Sequence, residues 1–143
     1  MCVVIDLLSR KVISFKISRK INSQLVIDTF KDAFYKRNEP KNLIFLSDNG
    51  SQYTSSDFRC LLDGFNVVQS FSKKGCPYDN AVAESFFKFI KYEELNRYSF
   101  HSLEDLCLHI FDYIEGFYNS SRPHSANDML SPNSKEELFY NNS

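Results

Sequence analysis

The chain contains no tryptophan, no Cys-x-x-Cys pair, no clustered histidines and no apolar run of membrane-spanning length. Each shortage narrows what the protein can be. Cys2, Cys60, Cys76 and Cys107 are scattered, and the N-terminus lacks the charged-then-apolar-then-small pattern of a secretion signal. They therefore read as reduced packing thiols rather than a disulfide framework or a zinc site. His101, His109 and His124 show no metal-ligand spacing. Without about 20 consecutive apolar residues, no transmembrane helix is expected, and the chain should stay in the cytoplasm. An excess of positive charge is missing too: 17 Lys and Arg against 18 Asp and Glu give a net charge of −1. Nucleic-acid binders owe much of their affinity to Lys and Arg on phosphates, so any DNA binding here must come from local basic patches and be weak and salt-sensitive. Repeats and low-complexity linkers are also lacking, which leaves room for one folded domain in 143 residues.

What is present is an ordinary globular composition, 43% hydrophobic and 24% charged, which gives no reason to invoke disorder; 14 Phe and 8 Tyr supply much of the core mass. The β-branched run Cys2 to Leu8, the turn Ser9-Arg10-Lys11 and the stretch Val12 to Ser18 predict a hairpin with one buried face, Ile13, Phe15 and Ile17 alternating with Val12, Ser14 and Lys16. Asn22 or Ser23 caps a helix to about Arg37 with Val26, Phe30 and Ala33 on its core face. Asn42 to Ser47 reads as a strand covered on both faces. A short helix from Ser55 or Ser56 to Gly64 and a strand from Val67 to Phe71 follow, then a loop from Ser72 to Tyr78. A helix capped by Asp79 and Asn80 comes next and frays near Tyr92 to Asn96. Ser102-Leu103-Glu104-Asp105 is close to a capping box, and Leu103, Leu106, Cys107, Ile110, Ile114 and Phe117 form the apolar stripe of a helix to about Asn119. After Arg122-Pro123, a tail carries a last short helix, Asn133 to Phe139.

Two carboxylates carry the chemical signal. Asp48 ends the apolar run Leu43-Ile44-Phe45-Leu46-Ser47 and opens the polar loop Asn49-Gly50-Ser51-Gln52-Tyr53-Thr54. With 35 residues between them, Glu84 follows early in a helix. A carboxylate at a strand end and another on a helix suit hard cations such as Mg²⁺, which take few protein oxygens and leave the rest to water and phosphate. Glu84, Lys88 and Lys91 stand at i, i+4 and i+7 on one face, with Val82, Phe86, Phe89 and Ile90 opposite. Taken alone, that helix pattern most often means ordinary surface charge.

The segments Val3-Val4-Ile5-Asp6-Leu7-Leu8-Ser9-Arg10-Lys11-Val12, Ser47 to Thr54, Ser72-Lys73-Lys74-Gly75, Tyr78 to Phe87, Phe117-Tyr118-Asn119 and Arg122-Pro123-His124-Ser125 occur in this order over nearly the whole chain. Together they resemble the integrase catalytic core of bacterial insertion-sequence transposases, the retroviral-integrase-like type of DDE recombinase. The resemblance implies an α/β, ribonuclease-H-like mixed sheet with flanking helices, a core over residues 1–126 and a C-terminal tail over 127–143. It implies metal-dependent DNA cleavage and strand transfer with Mg²⁺ (or Mn²⁺), Asp48 and Glu84 as second and third acids of the triad, and Lys91 as the basic partner on the glutamate's helix. Lys88 and Lys91 would hold phosphates of the DNA terminus; Lys73 and Lys74, in a basic loop, either contact DNA or are simply solvated.

The family's first aspartate lies on a strand before Val3-to-Leu8, so the first, central strand and its acid are expected to be missing. Asp6 is better read as a turn carboxylate than as a substitute. Without that strand, two sheet fragments present unpaired edges, and poor stability is expected of the isolated chain. Activity alone is expected to be slight. Partners implied are element ends, target DNA, and a second copy or intact transposase, in the nucleoid and not at a membrane. The rival expectation is a non-catalytic core that regulates intact transposase, or a decaying remnant. Among the lesser residues, Asn49 is expected to orient Asp48, Gly50 to supply a backbone turn, and Ser51 to Thr54 to line a DNA groove or satisfy loop amides. Tyr118, Asn119, Arg122 and His124 are expected to pin the C-terminal segment.

Overall fold

The computed structural model describes residues 1–75 and 80–143; the Asp79 cap expected for the fourth helix lies outside them. The chain divides into two compact units, Met1–Val4 with Ile13–Ala81 and Ile5–Val12 with Val82–Ser143.

In the first unit the strand β1 (Cys2–Ile5) pairs with β2 (Val12–Lys16), whose hairpin turn belongs to the second unit. The buried alternation in β2 is Val12 and Ser14, while Ile13 and Phe15 are only half-buried. Ser14 tolerates burial because its hydroxyl donates to Asp32 Oδ2 at 2.7 Å, which removes the cost of an unpaired polar group. Helix α1 (Ser23–Lys36) starts where Asn22 Oδ1 accepts from Leu25 N at 3.0 Å. Its buried side chains Leu25, Val26, Phe30, Ala33 and Phe34 follow the helical period. They pack with Cys2, Phe58, Leu62 and Val67, and Phe30 meets the rings of Phe45 and Phe58 edge-on at 5.4 and 6.0 Å.

Strand β3 (Ile44–Ser47) and strand β4 (Val68–Phe71) run parallel, with Ile44 opposite Val68 and Ser47 opposite Phe71. Between them lie α2 (Ser51–Thr54) and α3 (Ser56–Gly64), the latter capped by Ser55 Oγ on Phe58 N at 3.3 Å. The turn of helix α2 was expected as loop. The expected strand covered on both faces is corrected: Phe45 and Ser47 face the core, but Ile44 is 64% exposed and its neighbour Val68 61%. Among the described residues the strands form two separate two-stranded sheets, β1-β2 and β3-β4, the two sheet fragments expected of a mixed sheet without its central strand. A two-stranded parallel sheet with helices on one face leaves its other face to solvent, unlike the parallel sheets whose all-apolar strands are buried on both sides.

The second unit is mostly helical. Helix α4 (Ala81–Ile90) does not fray after Ile90 but widens into a π-helical turn, Lys91–Leu95, closed by Asn96 N on Lys91 O at 2.9 Å. Helix α5 (Leu103–Tyr113), capped by Ser102 on Asp105 N at 3.0 Å, ends in a second π-helical turn, Ile114–Tyr118. A π turn adds one residue to the helical repeat and so shifts the stripe by one position. Ile110 and Ile114 are buried as expected; Phe117 is exposed, and Tyr118 takes its place in the core against Phe86, 5.1 Å between ring centroids. Helix α6 (Pro132–Asn141) starts at Ser131, with Pro132 in its first turn. Residues 127–143 belong to this unit.

Candidate metal and nucleic-acid site

Asp48 follows β3 at its C-terminal end, the usual side for ligand sites on parallel strands. Ser72 N donates to Ser47 O at 2.8 Å, so β4 ends at the same edge and the exposed Lys73, Lys74 and Gly75 leave the sheet there. Gly75 has φ +80, a conformation that favours glycine. Asn49, expected to orient Asp48, donates its side-chain amide to Ser72 O at 3.3 Å and so ties the loop to the end of β4. Asp48 Oδ1 accepts from Gly50 N at 2.8 Å; its other oxygen has no hydrogen-bond donor among the described residues.

Gly50 is not required by its backbone, and a side chain there would meet only the ends of two neighbouring side chains. Its φ of −56 suits any residue, and a Cβ there would stand 2.9 Å from Asp48 Oδ1 and from both terminal atoms of Gln52. Ser51 to Thr54 form α2, whose Tyr53 packs inward against Phe45 and Phe58 and accepts at its carbonyl from Gln69 Nε2 at 2.7 Å. Burial pushes the Tyr53 hydroxyl well above its ordinary pKa, and Cys2 and the Asp48 charge add to the shift.

Glu84 lies in the first turn of α4, where a carboxylate gains from the helix dipole. Glu84, Lys88 and Lys91 are all exposed, and none of their side chains makes a hydrogen bond or ion pair among the described residues; Phe86 and Ile90 are buried on the opposite side. Among the described residues, no three His, Cys, Asp or Glu side chains gather as a metal cluster. Asp6 is a turn carboxylate: its Oδ1 accepts from Leu8 N at 2.8 Å and Ser9 N at 3.0 Å.

The C-terminal residues pin structure, as expected. Asn119 is fully buried and pairs with the Val12 backbone as a strand would, accepting from Val12 N and donating to Val12 O, both at 3.0 Å. Asn127 donates to Ser9 O at 2.7 Å, and Glu136 takes Lys11 at 3.1 Å. Arg122 grips Glu93, with Nε 2.9 Å from both carboxylate oxygens and Nη2 2.7 Å from Oε1; Tyr113 donates to the same carboxylate at 2.5 Å. Burial pushes the Glu93 carboxyl up, but the bonds from Arg122 and Tyr113 outweigh it and hold the pKa below its ordinary value. Glu93 was not among the residues read from the sequence. Its signal was a carboxylate at i+7 from Phe86 and i+3 from Ile90, on the apolar stripe.

A family profile described as an integrase core domain matches residues 1–77, and a second integrase core profile matches residues 66–132. The chain belongs to the integrase core domain family. Among curated relatives, a Lactococcus lactis transposase for insertion sequence element IS904 is 40% identical over 96% of this chain and 54% of its own length. The Escherichia coli K12 transposase InsF for insertion sequence IS3A is 42% identical over 92% of this chain and 46% of its own. A Lactococcus lactis protein named ATP-dependent protease is 48% identical over 77% of this chain and 36% of its own length. The chain thus spans about half the length, or less, of these relatives. A chain in a solved simian T-cell lymphotropic virus intasome, complexed with a PP2A regulatory subunit, is 16% identical. It superposes with a TM-score of 0.69 over 91% of this integrase core and 45% of that chain. That likeness shows an integrase-core-like α/β fold. No helix among the described residues is long and apolar enough to cross a membrane.

Proposed function

We propose that the chain is the catalytic-core portion of an insertion-sequence transposase, acting in DNA transposition by metal-dependent strand cleavage and transfer. The observation that carries this reading is the pair of open carboxylates within the integrase core: among the described residues, Asp48 at a strand end has one oxygen without a donor, and the Glu84 side chain, on a face shared with Lys88 and Lys91, has no partner. Exposed carboxylate oxygens of this kind fit Mg²⁺ or Mn²⁺, hard cations that leave most positions to water and phosphate. When bound, such ions activate an attacking oxygen and stabilise the leaving one. Asp48 and Glu84 hold the ions; Lys88 and Lys91, with Lys73 and Lys74 on their own loop, hold DNA phosphates. Two acids alone would hold the ions loosely, so the 143 residues by themselves are expected to show little activity.

The DNA partners are element ends and target, and the protein partner is a second copy or intact transposase in the nucleoid. Strand transfer of an end-labelled oligonucleotide in Mg²⁺ and in Mn²⁺ tests the reading. Glu84→Gln is expected to abolish it, and undiminished transfer by this variant would sink the assignment. A second reading is a non-catalytic core that regulates intact transposase. Mixing the chain with the full-length enzyme separates the two: restored or new transfer supports catalysis, and dose-dependent inhibition supports regulation.

A further inference from the structure

We infer that Glu93 and Arg122 are positioning residues for Lys91: gripped from behind by Arg122, the π-helical turn fixes where that lysine meets a DNA phosphate. The inference rests on the DNA-contacting role proposed above for Lys91. At about 3.6 residues per turn, Glu93 falls half a turn from Glu84 and Lys91, on the side of Phe86 and Ile90. A carboxylate on that side has to be matched, and Arg122 and Tyr113 match it with four hydrogen bonds between 2.5 and 2.9 Å.

Arg122 holds the helix at a second point, its guanidinium carbon 3.8 Å from the centre of the Phe89 ring, one turn before Glu93. Lys91 stands between these two anchors in sequence and faces away from them. Its carbonyl accepts the closing bond of the π turn, and Glu94, in the same turn, meets His109 Nδ1 at 3.0 Å. Regular α-helix would need none of this, and a wide turn persists only where the surroundings hold it. Replacing Glu93 and Arg122 together by apolar residues would remove the desolvation cost of both charges, and such double replacements are often neutral or stabilising. The charged grip therefore contributes geometry more than stability, and the geometry it fixes is that of the exposed side of the same turn.

The test is the affinity of the chain for a fluorescent DNA duplex, measured against salt concentration with a melting curve for each variant. Lys91→Ala should weaken binding and reduce the slope of log K against log[salt] by about one, the signature of one lost phosphate contact. Glu93→Gln, and Arg122→Lys, which keeps the charge but loses the fork, should reduce the slope by a similar amount. Adding Glu93→Gln to Lys91→Ala should then cost nothing further. A lowered melting temperature with wild-type affinity and slope in both Glu93→Gln and Arg122→Lys would overturn the inference, as would losses that add in full to that of Lys91→Ala. A wild-type chain that does not bind DNA, or a Lys91→Ala variant that binds like wild type, would instead sink the underlying reading of Lys91 and the inference with it.

Discussion

Glu84 and Glu93 stand on one continuous helical segment, α4 and its π-helical extension, yet their surroundings are opposite. Glu84 has solvent and two lysines on its face and no partner among the described residues. Glu93 is half-buried and bound by Arg122 and Tyr113. Asp6, Asp32 and Glu136 resemble Glu93: each accepts from a turn amide, a buried hydroxyl or a lysine. A folded chain commits most of its acids to structure because an unmatched half-buried charge is costly. Acids left uncommitted in the segments that match a known core are the ones available for a ligand. By that contrast Glu84 and the second oxygen of Asp48 differ from these four. The side chains of other exposed acids such as Asp57, Asp63 and Glu104 are unpaired among the described residues too, so it is the motif blocks around Asp48 and Glu84 that single them out.

The contrast can be broken most directly at Glu84. Replacement by Gln should remove metal-dependent transfer while leaving unfolding stability within about 0.5 kcal/mol of wild type, as for other exposed sites. The loss of transfer should exceed the roughly 10–100-fold typical of an outer-shell change at a metal site. Gly50→Ala comes next. Its Cβ would crowd Asp48 Oδ1 at 2.9 Å, so transfer, or Mn²⁺ affinity, should fall by about 10–100-fold with a smaller effect on folding. Asn119→Ala should do the reverse and act on stability alone. It strands the buried N–H and C=O of Val12 at about 1–3 kcal/mol each, read from denaturant unfolding.

The smallest effect concerns pH. Burial, helped by the nearby Arg122 charge, lowers the His124 pKa to about 4 from an ordinary 6.5. The unfolded chain therefore binds more protons between these values. The contribution of His124 is complete above pH 6.5 and is lost as pH falls toward 4. Unfolding titrations of His124→Phe should show a flatter pH dependence in that window.

Much of this contrast was legible in the residues. The hairpin, α1 with its Asn22 cap, α3 and the exposed face of Glu84, Lys88 and Lys91 follow from periodicity and capping, which are local. Asp6 as a turn carboxylate was readable too, because Ser9 and Arg10 follow it. What local pattern missed depends on distant partners. The exposure of Ile44 and Val68 is set by how many strands stand beside β3, not by the composition of β3. The π turns are held by contacts between elements, and only there does Tyr118 replace Phe117 in the core. Glu93 was missed because its partner Arg122 lies 29 residues away. A charged residue on an apolar stripe was the clue.

The most direct measurement is a Mn²⁺ titration followed by electron paramagnetic resonance, on the wild-type chain, Asp48→Asn and Glu84→Gln. The account predicts weak binding by the wild type that each substitution reduces, with melting temperatures unchanged. Equal Mn²⁺ binding by all three proteins would contradict the assignment of Asp48 and Glu84 as the metal-holding acids.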